Sequence, residues 1–270
     1  MKYRIIVIFT LLMMVASGFS SLNAQEQSGS KTQRTQILEK VKLKLMLTDS
    51  FLAVEYINSL GECVEVAKHY NNLILDLYWK DKSLPYAVVM GRAGIQHILE
   101  KAREFDKSDT KKAAKLRSFA KQLSYNLASF TWPGWDEPGI VVKKDYIVVG
   151  LDAAKLNLRL ATKLKKGVLK ISIAHWMLGA QHLANIDYPQ ALKSFSLARD
   201  LAKKAKSRSN ELLALGFIGI TQILEGSDIP AGERLYESAI KGFRKIGSKE
   251  AEAYIQQLAT ARKVFENRNK

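Results

Sequence analysis

Residues 184–198 read ANIDYPQALKSFSLA, and residues 225–239 read EGSDIPAGERLYESA. The two stretches lie 41 positions apart and share a skeleton: Asp187 with Asp228, Pro189 with Pro230, and Ala191, Phe195 and Ala198 with Gly232, Tyr236 and Ala239. An Asp followed two residues later by Pro marks a helix start. The carboxylate accepts a first-turn N–H, and Pro has no N–H to leave unpaired there. A small residue, an aromatic four later and an Ala three after that fall on one helical face. Small side chains let a neighbouring helix approach, and the aromatic fills the groove between the two. Such self-similarity predicts helical pairs that stack in order along the chain.

The pattern resembles the second helix of a tetratricopeptide repeat. Leu178-Gly179, thirteen residues before Ala191, stands where that family's first helix carries Leu-Gly. His175 takes the place of the family's usual Trp, and His182 that of its usual Tyr. The second unit departs further, with Gly219-Ile220 at the Leu-Gly place and Gly216 at the Trp place. Ala154, Leu158 and Ala161, 37 positions before Ala191, Phe195 and Ala198, form an earlier partial copy. A helix over about 248–266, opened by Ser248 with Glu250 and Glu252 in or beside its first turn, caps the array. The resemblance covers residues 143–270 with that capping helix, most clearly 143–268. It implies an all-α fold, a right-handed solenoid of helical hairpins. It also implies a concave groove lined by first helices, with His175, Gln181, His182, Gly219 and Gln222 as candidate contacts for a protein or peptide.

Ahead of the repeats, apolar residues keep helical spacing: Ile37, Val41 and Leu45 are four apart, and Leu38 widens the face. Helical runs are expected around 50–79, 84–105 and 109–130, with Asp109 as an N-cap. Residues 35–130 therefore form N-terminal helical hairpins, either continuing the stack, since a repeat needs neighbours to bury its faces, or making a separate bundle. Between the halves, residues 131–142 hold Trp132, Pro133, Gly134, Trp135, Pro138 and Gly139. Ile140-Val141-Val142 and Ile147-Val148-Val149 are β-branched triplets, read as loop packing and a helix start rather than a strand pair.

Residues 1–24 have the layout of an export signal. Lys2 and Arg4 precede an apolar run from Ile5 to Ala16, and a small, polar stretch ends at Ala24-Gln25, the expected cleavage point. That run is shorter than the roughly 20 residues a spanning helix needs, although an uncleaved anchor is the alternative. Cleavage leaves 246 residues with 40 Lys+Arg and 26 Asp+Glu, net +14, and no transmembrane span. Residues 25–34 (QEQSGSKTQR) lack an apolar period and read as a flexible leader. With Cys63 the only cysteine, no intrachain disulfide forms. Together with the lack of Asn-x-Ser/Thr sequons, this points to a bacterial periplasm or secretion. Export also separates a basic chain from nucleic acid.

No motif for metal, cofactor or nucleophilic catalysis is present. His175 and His182 are seven residues apart, about 10.5 Å along a helix, too far to share a metal. Cys63 reads as an inert thiol in an apolar helix. The expectation is a non-catalytic protein with no cofactor.

Two features point to binding, each with a plainer reading. Trp132 and Trp135 are either an aromatic platform for a sugar ring or peptide, or core residues that clamp the two halves together. Lys155, Arg159, Lys163 and Lys166, then Lys203 and Lys206, then Arg244 and Lys245, recur at the repeat spacing near helix ends. Stacking would align them as a basic band for an acidic protein or an anionic envelope polymer. The plainer reading is that cations complement helix C-termini. The leading expectation is a protein–protein scaffold in the cell envelope, and the second a carbohydrate or envelope-polymer binder using the Trp loop and the band.

Overall fold

A computed structural model describes residues 24–268, with side chains from residue 32. The expected export signal lies outside these residues except for Ala24. The described chain is all-α: eleven helices, one 3-10 turn and no strand. In order they are α1 (Ala24–Leu47), α2 (Ser50–Asn58), α3 (Cys63–Trp79), α4 (Leu84–Glu104), α5 (Thr110–Phe130), a 3-10 turn (Pro133–Trp135), α6 (Lys144–Lys163), α7 (Val168–Ala184), α8 (Tyr188–Lys204), α9 (Arg208–Glu225), α10 (Ile229–Ile246) and α11 (Lys249–Arg268). From α3 to α10 each helix packs on the next. Except across residues 131–143 between α5 and α6, the connections are short, which makes such neighbours run antiparallel.

The starts follow the caps. Asp109, Asp187 and Asp228 accept the N–H groups of Lys112 at 2.8 Å, Gln190 at 3.4 Å and Ala231 at 2.9 Å, opening α5, α8 and α10. Ser248 Oγ accepts the Ala251 N–H at 3.1 Å and opens α11. The triplet 147–149 lies inside α6, whereas 140–142 is irregular chain before it.

Two expectations need correction. The stretch 25–34 lies within α1 rather than forming a leader. Its last residue is tied down: Arg34 Nε and Nη2 donate to the Asp76 carboxylate at 2.5 and 2.8 Å, and Asp76 is buried. The polar composition hid this because the contact is made 42 residues away. The run 50–79 is two helices, α2 and α3. The break holds Gly61 at φ +130°, a conformation that side-chain-bearing residues rarely adopt. Cys63, at the start of α3, is consequently half-buried rather than enclosed.

Close approach in the repeat pairs rests on glycine. A Cβ at Gly179 would sit 2.8 Å from the Phe195 ring, and one at Gly219 2.6 Å from the Gly232 carbonyl oxygen. Ala191, Phe195, Ala198 and Ala239 are buried, and Tyr236 nearly so. In the partial copy Ala154 and Ala161 are buried but Leu158 is only half-buried. One contiguous apolar core runs from Ile37 to Phe265. The final helix does more than cover the last pair: besides α9 and α10 it packs on the 3-10 turn, joining parts of the chain over 100 residues apart.

Candidate functional site

The Trp segment follows from the end of α5. Thr131, buried, turns its hydroxyl back to the Leu127 carbonyl at 2.8 Å, and the chain leaves the helix. Trp132 is 1% exposed. Its ring meets Trp135 at 4.7 Å, Trp176 of α7 and Phe217 of α9 at 5.8 Å each, and Phe265 of α11 at 6.0 Å between centroids. Gly134 is required because a Cβ there would lie 2.3 Å from that ring. Trp135 is half-buried, with Nε1 donating to the Ser129 carbonyl at 2.8 Å. A sugar platform needs an open ring face, and Trp132 has none. The two rings join helices from both halves of the chain.

The five groove positions do not gather into a site. Gln181 is fully buried and donates to the Ala128 carbonyl of α5 at 2.5 Å, a strut between helices. Gly219 faces the second helix of its own pair. His182 Nδ1 lies 3.2 Å from Asp187 Oδ2, linking the end of α7 to the cap of α8; burial holds its pKa below the ordinary imidazole value despite that carboxylate. His175 is half-buried, its Nδ1 without a partner, and burial lowers its pKa too. Gln222 is half-buried with an unpartnered Oε1. The resemblance marked these as groove residues; Gln181, His182 and Gly219 instead make contacts between helices.

The cationic residues are arranged more coherently. Lys155, Arg159, Lys163, Lys203, Lys206, Arg244 and Lys245 are all exposed. α6, α8 and α10 end at Lys163, Lys204 and Ile246, so their C-termini lie together at one edge of the antiparallel array. Lys165 and Lys206 both take left-handed backbone there (φ 48° and 54°), and Gly247 (φ 65°) holds the equivalent place 41 residues on. Lys166 departs from the band, since it is half-buried and donates to Ser118 Oγ of α5 at 2.9 Å.

A cavity of about 300 Å3 opens beside this edge. Its walls come from α5 (Lys121, Tyr125), α6 (Asn157) and the N-terminal turns of α7, α9 and α11, which directly follow the lysine-bearing ends. Lys121 is 7% exposed, and among the described residues no carboxylate lies within 4 Å of its amine. Burial, with Lys170 and Lys166 nearby, pulls its pKa down to about 8. Asn157 spends its amide N–H on the Lys121 carbonyl at 2.8 Å, leaving Oδ1 unpartnered; Trp176 Nε1 is unpartnered as well. Sequence reasoning passed over this site because the second half of α5 is buried almost all round, and a lysine within it breaks no periodicity. The one legible signal was Lys121 itself, two residues before Leu123 and one after Ala120 on an apolar face.

No protein-family profile matches the sequence, and no curated protein matches it.

Proposed function

We propose that this chain is a non-catalytic, exported helical-repeat protein of the tetratricopeptide type, a right-handed stack of hairpins that binds an acidic protein partner in the cell envelope. The observation that carries the reading is the basic edge. Exposed cations recur at the ends of α6, α8 and α10, at the spacing of the repeat. Helix-end complementarity accounts for one or two cations per helix. It does not account for Lys155 and Arg159, which lie one to two turns farther back on the exposed side of α6. The aromatic cluster supports an edge-on rather than a groove-bound partner, because Trp132, Trp176, Phe217 and Phe265 pack together where α7, α9 and α11 meet the Trp turn.

The test is affinity capture from envelope extract with wild-type protein and with the charge-reversed variant Lys203→Glu/Lys206→Glu/Lys245→Glu. The reading expects one defined acidic protein, identified by mass spectrometry, retained by wild type at 0.1 M salt. The charge-reversed variant loses it, and 0.5 M salt releases it, because exposed charges are screened over about 10 Å at 0.1 M. Retention unchanged by charge reversal sinks the basic-edge reading. Retention of anionic glycan without protein favours the polymer-binding alternative, which after burial of Trp132 rests on the same cations.

A further inference from the structure

We propose that the cavity between α5, α7, α9 and α11 is a ligand site for a small amphipathic carboxylate, with its apolar body against Tyr125, Ile173, Leu213 and Tyr254 and its acid on the Lys121 amine. This goes beyond the basic-edge reading and stands on separate observations.

The cavity volume, about 300 Å3, is twice the ~150 Å3 that accepts a benzene ring in an engineered core. It therefore holds an apolar body of about ten non-hydrogen atoms. Its chemistry points to an anion. The Lys121 side chain is buried, and among the described residues no carboxylate lies within 4 Å of its amine, so the fold does not pair its charge. A ligand carboxylate would supply the missing counter-charge. The charged and titratable groups facing Lys121 come from each packed element: Lys166 after α6, Lys170 of α7, and Glu250 and Tyr254 of α11, with Tyr125 on its own helix. The nearer ones are cationic. Glu250 accepts from the Tyr254 hydroxyl at 3.3 Å and would repel an acid placed at its end, which fixes the ligand's direction. Asn157 Oδ1 and Trp176 Nε1 add unpartnered polarity to the same wall.

Lys121, with its lowered pKa, carries its proton below pH 8 and loses it above. A bound carboxylate would hold that proton on, so binding takes up a proton above pH 8 and weakens as pH rises.

Isothermal titration with decanoate and with decan-1-ol tests the assignment on the full chain. At pH 7, decanoate should bind with a stoichiometry of one and at least tenfold more tightly than decan-1-ol. Decanoate affinity should fall about tenfold between pH 8 and pH 9.5, while that of decan-1-ol stays constant. Lys121→Met should remove both the preference and the pH dependence, with its fold checked by circular dichroism. Ala174→Trp, which fills the cavity, should abolish binding of both compounds. The wild-type pH series stands whether or not either variant folds. Equal affinity for the two compounds at pH 7, or no saturable decanoate binding, overturns the proposal. The triple charge-reversed edge variant should still bind decanoate within about threefold of wild type. Loss there would assign the anion to the edge instead, so failure of this site and failure of the partner reading are told apart.

Discussion

The side chains of Trp132 and Lys121 are both buried, with opposite consequences. Trp132 exchanges hydration for four aromatic neighbours, so Trp132→Ala is expected to cost about 3–5 kcal/mol in urea unfolding. Gly134→Ala, which drives a methyl into the same ring, should cost about 1–3 kcal/mol. Neither loss is expected from a surface platform, whose truncation leaves stability nearly unchanged. Lys121 gains no partner for its hydration, and its folded pKa of about 8 lies below its ordinary value. Above pH 8 the unfolded chain keeps a proton that the folded chain has released, so stability rises with pH from 8 toward 10. Above that, the buried hydroxyls of Tyr125 and Tyr254, whose pKa burial raises, make stability fall again. The urea midpoint should therefore climb between pH 8 and 9.5 in wild type. In Lys121→Met it should start higher at pH 7.5 and show no climb.

At the scale of elements, the helix ends carry the repeat's register. The Asp caps and first-turn prolines of α8 and α10 were legible in sequence because capping is local chemistry. The C-termini were less so. Lys165 and Lys206 occupy left-handed positions where glycine usually ends a helix, whereas α9 and α10 end on the expected residue at Gly226 and Gly247. That conformation costs a side-chain-bearing residue about 1–2 kcal/mol, partly offset by glycine's greater chain entropy. Lys206→Gly should stabilise the protein by about 0.5–1 kcal/mol, read as a raised urea midpoint with an unchanged slope. Equal stability would mean that the lysine's interaction with the helix end offsets the strain.

For the whole molecule, the decisive contact is the return of α11 to the Trp turn. Helices that pack mainly on their neighbours in sequence can unfold piecemeal. Packing Phe265 against Trp132 joins units distant in sequence and should make unfolding more cooperative. Wild type is expected to show coincident transitions by circular dichroism and tryptophan fluorescence. Phe265→Ala should lose about 3–5 kcal/mol, and its fluorescence transition should precede the loss of helix. Coincident transitions in that variant would show that closure adds stability without coupling the units.

The sequence by itself determined the helical class, the 41-residue pairing of α7–α8 with α9–α10, most helix starts and the cationic helix ends. Each depends on residues within a turn or two of one another or on a repeated spacing. Tertiary structure alone decided that Arg34 anchors α1 through Asp76, that Gln181 is a strut, that both Trp rings turn inward, and that a partnerless lysine lines a cavity. Those outcomes depend on which helices meet across 40 or more residues, and no local period encodes them.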